Sequence, residues 1–194
     1  MDAQLALYVV IALVLLLLVS LIVNIKLYIT LKKRKESDDL LIRSAYFNPV
    51  TDLPNRPNIE LVINEQIDRA LRHNQSFLLT VIKVINYHDV KAKSEELADE
   101  FMLEASDRLL SSIRDEDIVG HITDDGFVIV FNEYLDEENY DIIIERIKKA
   151  FKEHPHIHTK YHLVYNISFG HTKYPNDGTD AKLLIDRATS NALK

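Results

Sequence analysis

The chain has 194 residues, no cysteine, and a formal charge of −7 from 23 basic and 30 acidic side chains. The lack of cysteine excludes a disulfide framework, a thiolate metal site and a cysteine nucleophile. Lys26, Lys32, Lys33, Arg34 and Lys35 flank an N-terminal apolar run. The remainder is therefore more acidic than the whole and would repel a phosphate backbone, which argues against general nucleic-acid binding.

Leu5–Ile25 is apolar except for Ser20 and Asn24, a length that predicts a helix able to cross a bilayer. A cleaved signal peptide would begin with basic residues, and Met1-Asp2-Ala3-Gln4 has none. The expectation is a retained anchor over residues 1–30, followed by a basic juxtamembrane segment and linker helix over 31–47. With Lys32–Lys35 after the span and only Asp2 before it, the positive-inside rule predicts a single-pass inner-membrane protein. Its N-terminus would lie outside and its domain in the cytoplasm, and the basic cluster would approach anionic headgroups.

Pro49 ends the linker helix Glu36–Phe47, and a turn-rich run reaches Arg56. Apolar residues at helical spacing predict an amphipathic helix over Pro57–His73. Phe77–Ile85 (FLLTVIKVI) reads as a buried strand with one misplaced charge, Lys83. A second long helix is expected over Glu95–Ile113. Ile118–Ile122 and Phe127–Phe131 flank Thr123-Asp124-Asp125-Gly126, the composition of a hairpin turn. Glu137–His154 predicts a third helix, His162–Lys173 a strand, and Asp180–Lys194 a closing helix after the turn at Pro175–Gly178. Strands alternating with amphipathic helices imply an α/β sandwich. Its sheet is expected to hold four or five strands around a central antiparallel hairpin, in the manner of a ferredoxin-like palm. From the hairpin alone, two adjacent carboxylates fit either plain turn chemistry or a metal or phosphate ligand site.

Three motifs in order carry a family resemblance. Residues 45–56 (AYFNPVTDLPNR) match an opening A-x-x-D-x-L-T-G-L-x-N-R. Residues 123–127 (TDDGF) fall where the family has Gly-Gly-Asp/Glu-Glu-Phe. Ile167–Gly170, Tyr174–Gly178, Leu184 and Ala188 match an ending S-I-G, Y-P-x-D-G, L-L-x-x-A-D. The domain from about Ser44 onward resembles the GGDEF domain of diguanylate cyclases, which condense two GTP into cyclic di-GMP. The resemblance implies a nucleotide-cyclase-like fold over residues 48–194 and metal-assisted phosphoryl transfer with Mg²⁺ or Mn²⁺.

Carried over residue by residue, that chemistry is altered. The first-strand metal aspartate falls at Lys83, whose charge repels a cation, and the next family aspartate at Ile85. Asp125 sits on the hairpin carboxylate, but the glutamate after it is Gly126, and the two leading glycines are Thr123 and Asp124. The base-reading asparagine falls at Lys91 and the base-reading aspartate at Glu100. The chain stops at Lys194, before the family's A-K-x-x-G-R phosphate contacts, so the expectation is either a domain truncated at its C-terminus or one that lacks those groups. Arg114-Asp-Glu-Asp117 lies at the family's R-x-x-D inhibitory site, where arginine and aspartate suit guanine edges and phosphates; R-D-E-D is equally the composition of a solvated turn. These features lead us to expect no catalytic residues, no bound metal (Asp125 at most) and no cofactor, with Mg²⁺ or Mn²⁺ needed only if the domain is active. The expected ligands are cyclic di-GMP at Arg114 and Asp117, or GTP, with a protein partner or a second copy. The alternative is a weak or rewired diguanylate cyclase.

The remaining candidates read as structure. His154, His156, His158 and His162 alternate as metal ligands can, yet no carboxylate or cysteine completes a familiar spacing, and an exposed loop is expected. His121 is expected to be a strand residue, Asp136–Glu138 a helix start, and Tyr161 and Tyr165 packing residues.

Overall fold

The computed structural model describes residues 3–131, 137–153, 156–157 and 162–193. It divides into two compact units, Met1–Ser44 and Ala45–Lys194.

The first unit belongs to a single helix, α1, Ala3–Tyr46. The apolar run is not an element of its own, because the helix continues without a break through Lys26 and Lys32–Lys35. Among the described residues, no helix is long and apolar enough to cross a membrane. The expected transmembrane anchor is corrected accordingly, and so are the membrane partner and the inside–outside placement drawn from it.

The second unit carries α2 (Arg56–His73), β1 (Phe77–Val84), α3 (Tyr87–Lys91), α4 (Glu95–Ser112), β2 (Ile118–Thr123), β3 (Gly126–Val130), α5 (Glu137–Glu153), β4 (His156–Ile157), β5 (His162–Leu163), β6 (Ile167–Tyr174) and α6 (Ala181–Ala192). Side-chain caps fix three helix starts, each satisfying a backbone donor the helix cannot. Asn55 accepts from Asn58 N–H, Ser94 from Leu97 N–H and Asp180 from Leu183 N–H. Asn74 closes α2 in the left-handed region, at φ 51° and ψ 45°. Glycine takes that conformation without a Cβ penalty, so Asn74→Gly should raise stability by less than the roughly 1 kcal/mol the conformation costs an ordinary side chain, measured by urea titration.

The four-stranded sheet runs β2-β3-β1-β6 with every neighbouring pair antiparallel. This is the β-α-β-β-α-β arrangement of a ferredoxin-like palm. The hairpin is antiparallel as expected, but only β3 is interior. β2 lies at the sheet edge, because β6 takes the other side of β1.

The apolar run of β1 follows from burial on both faces. Leu78, Ile82 and Val84 join Phe127, Ile129 and Phe131 of the hairpin segment against α4 and α5. Phe77, Leu79 and Val81 join Val128 and Val130 against α2 and α6. Strand alternation puts Lys83 on this second face, at its open end.

The strand expected over His162–Lys173 is interrupted at Val164–Asn166. Asn86, just after β1, donates to Val164 O (2.8 Å) and accepts from Asn166 N–H (3.0 Å), while Ile85 N–H donates to Asn166 O (2.7 Å). The Ile85 bond carries the β1–β6 register one residue further, and beyond it the Asn86 side chain takes the place of ladder partners. Tyr165 turns inward instead, stacks on Phe101 with centroids 4.0 Å apart, and donates its hydroxyl to Phe101 O at 2.8 Å. Burial raises its pKa, so the phenol stays protonated. Tyr165→Phe should cost about 1 kcal/mol by leaving a buried carbonyl without that donor, read from chemical unfolding.

Candidate functional site

The turn between β2 and β3 carries the densest set of charged groups aligned with the family's chemistry. The sheet register places Lys83 directly opposite Gly126. The Lys83 ammonium lies 2.5 Å from Asp125 Oδ1, and Thr123 Oγ1 donates to the same oxygen at 2.9 Å. The Lys83 and Asp125 side chains are only 12% and 17% exposed. Burial pushes the Asp125 carboxyl up. Hydrogen bonds from Lys83 and Thr123 and the lysine charge outweigh it and hold the group below its ordinary range.

Asp124 points elsewhere. It is exposed and lies 3.6 Å from the Lys91 ammonium, which sits 5.7 Å from the Tyr87 ring centroid. These groups edge a cavity of about 210 Å³ lined by Asn48, Val50, Tyr87, Lys91, Asp99, Met102, His121 and Asp124, among others. His121 is buried, with Nδ1 3.1 Å from Thr51 Oγ1 and Nε2 3.4 Å from Asp124 O. Desolvation lowers its pKa against the pull of the nearby carbonyls, so the ring is neutral at pH 7.

The structure gathers Lys83, Thr123, Asp125 and Gly126 at one place and Lys91 and Asp124 at the adjoining cavity. Glu100 lies on the exposed side of α4, and it is Asp99 that lines the cavity. Sequence reasoning did not single out Asp99, Asn48 or Tyr87. The signal that could have found Asp99 is helical phase, since it lies three residues before the buried Met102, on the same face.

Arg114 and Asp117 stand apart, at the start of β2, with the six-residue strand between them and the hairpin turn. There the chain closes on itself. Asp117 Oδ2 accepts from Arg114 N–H (3.3 Å), and Asp117 N–H donates to Arg114 O (3.1 Å). The guanidinium is half-exposed, 3.8 Å from Glu116. Of the histidine run, His154 and His158 lie outside the described residues, as do Asp136 and Tyr161, while His156 and His162 belong to the short β4–β5 pair. Among the described residues, no group of three or more His, Cys, Asp or Glu could hold a metal ion.

The sequence profile described as "Diguanylate cyclase, GGDEF domain" matches residues 45–194. The chain belongs to the GGDEF family. The chain is 29% identical over 166 residues to the signaling protein YkoW of Bacillus subtilis, covering 80% of this chain and 20% of that protein. It is 24% identical over 148 residues to the bifunctional diguanylate cyclase/cyclic di-GMP phosphodiesterase MucR of Pseudomonas aeruginosa, covering 75% and 21%. The chain thus spans about a fifth of these relatives' length. Its fold matches a sensory box/GGDEF family protein from Caulobacter crescentus (TM-score 0.68, 20% identity, 76% of this chain and 95% of that one). It also matches the coiled coil and GGDEF domain of DgcB from the same organism, solved with c-di-GMP (TM-score 0.69, 12% identity, 82% and 85%). A third match is the diguanylate cyclase SiaD of Pseudomonas aeruginosa, solved with its activator SiaC (TM-score 0.69, 21% identity, 85% and 64%).

The divalent ion implied by the family can be tested against these residues. A hard cation needs several convergent oxygen ligands. At this GGDEF hairpin the one inward carboxylate, Asp125, is engaged by a lysine ammonium, and the strand position facing Lys83 is a glycine. That donor set does not fit Mg²⁺ or Mn²⁺.

Proposed function

We propose that this GGDEF domain is a non-catalytic member of cyclic di-GMP signalling that works by binding, either to the dinucleotide at Arg114 and Asp117 or to a protein partner. The observation that carries the reading is the Lys83 ammonium at 2.5 Å from Asp125. A positive charge stands where phosphoryl transfer in this family calls for a metal ligand, and loss of such a ligand lowers rate by about 10²-fold or more. Thr123, Asp124 and Gly126 depart from the family motif in the same turn, and the reading requires no cofactor. The relatives named above support the signalling context, and the SiaD–SiaC complex supports a protein partner.

The test uses the full chain. Incubation with GTP and either Mg²⁺ or Mn²⁺, followed by chromatography, should give no cyclic di-GMP; accumulation of product would establish the alternative, a diguanylate cyclase with a rewired site. Calorimetry with cyclic di-GMP then separates the two binding modes. Binding at the turn should weaken about tenfold in Arg114→Ala, the loss expected for a charge-assisted contact. Absence of any heat would remove the receptor form and leave the protein-interaction module. The cavity edged by Lys91 and Asp99 favours one further outcome, GTP binding without turnover, which the same calorimetry with GTP detects.

A further inference from the structure

We infer that Lys83 is a built-in counter-cation for the hairpin and Gly126 the space that admits it, so that the two positions form one compensated unit replacing a divalent ion. This rests on the reading of the hairpin as metal-free, but it concerns how the turn is held rather than what the domain binds.

Two independent geometries carry it. The first is the ion pair. Asp125 is mostly buried, and a buried carboxylate needs a counter-charge and hydrogen bonds to stay ionised. Lys83 supplies the charge from the neighbouring strand, and Thr123 adds a hydrogen bond to the same oxygen. The second is the glycine. No glycine of the described chain has a positive φ, so Gly126 is not there for a left-handed turn. Its value is room. A Cβ at 126 would lie 2.5 Å from Thr123 Oγ1 and 3.3 Å from Lys83 Cδ, crowding both groups that hold Asp125. Since 83 and 126 face each other across the ladder, a larger side chain at one is paired with none at the other.

The two positions should therefore tolerate change better together than at Gly126 alone, where both Thr123 and the lysine stem must give way. Gly126→Glu alone pushes a side chain against Thr123 and the lysine stem and should lower the thermal midpoint. The double change Lys83→Asp with Gly126→Glu removes the stem, leaves the new Cβ only the exposed Thr123 hydroxyl to displace, and sets two new carboxylates beside Asp125, an oxygen cluster of the kind hard cations take. It should bind Mn²⁺ at one saturable site, about tenfold or more tighter than the wild-type chain, and its midpoint should rise with Mn²⁺ and fall with EDTA.

The experiment is electron paramagnetic titration of Mn²⁺ into the 194-residue wild-type chain, Gly126→Glu and the double variant, with thermal unfolding of each in Mn²⁺ and in EDTA. Support is a wild type whose midpoint ignores both, a weakened single variant and a metal-responsive double variant. Wild-type protein stabilised by Mn²⁺ would overturn the inference, as would a folded double variant with no Mn²⁺ site, or a Gly126→Glu chain as stable as wild type. Should the double variant not fold, Lys83→Met decides: it keeps the stem and removes the charge, so an unchanged midpoint at pH 7 refutes the counter-cation and a lowered one sustains it. None of these readouts depends on cyclic di-GMP, so the binding proposal can fail while this one stands.

Discussion

Gly170→Ala should destabilise the domain by about 3 kcal/mol or more, at the upper end of what overpacking costs. The added Cβ would lie 2.0 Å from Ala188 O, 2.3 Å from Ala192 N and 2.8 Å from Asn191 C. All three are backbone atoms of α6, so no rotamer change relieves the contact and the helix must lift away from β6. That helix packs Ala181, Leu184, Ile185, Ala188 and Ala192 into the core on its side of the sheet, so lifting it opens the cluster. For a domain of this size the thermal midpoint should fall by roughly 10 °C. Gly178→Ala is the control. Its nearest neighbours are Leu183 and Leu184 side-chain atoms at 3.2 to 3.3 Å, which can yield, so its midpoint should move little. Equal shifts for the two variants would show that α6 does not seat on β6 as described.

Lys83→Met should cost about 2 kcal/mol at pH 7. Breaking a fully buried pair costs about 3–5 kcal/mol, and the residual exposure of Lys83 and Asp125 places this pair below that range. The effect depends on pH with a definite sign. The folded Asp125 pKa is held below its unfolded value, which lies near 4. The pair's contribution is therefore fully present above about pH 4 and is lost as pH falls through the folded value. In the variant, burial acts on Asp125 without the lysine to oppose it, so protonation favours the folded form. Wild type and variant should thus differ most near neutrality and converge in acid. Urea titrations at pH 7, 5 and 3 measure this, and a constant gap across the series would show that the ionised Asp125 is not what Lys83 stabilises.

Much of this architecture could be read from residue patterns. The apolar period of α2 and α4, the continuous run of β1 and the Asp-Asp-Gly turn each placed an element within a residue or two of where it lies. What escaped was set by contacts between distant positions. α3, Tyr87–Lys91, is too short for periodicity to register. The break before β6 depends on Asn86, far away in sequence, holding Val164 and Asn166. Asp52 occupies a motif glycine's place at φ 56°, tolerable because short polar side chains visit that region. At the site, Lys83 could be recognised as a charge where none belongs. Its engagement by Asp125 and its dependence on the empty volume at Gly126 needed the strand register. The apolar N-terminal run was the opposite case: read in isolation it suggested a separate span, whereas it is part of one helix running to Tyr46.

The central strand also sets an order of events during synthesis. β1 is bonded on one side to β3 and on the other to β6, where Phe77 meets Tyr174. Because β6 is the last strand of the sheet in sequence order, one edge of β1 stays open until most of the domain has left the ribosome. Long-range pairing of this kind is slow, and an apolar strand with an open edge is prone to aggregate. Nascent chains halted before Ile167 should therefore bind holdase chaperones, and release should coincide with the arrival of β6 and α6.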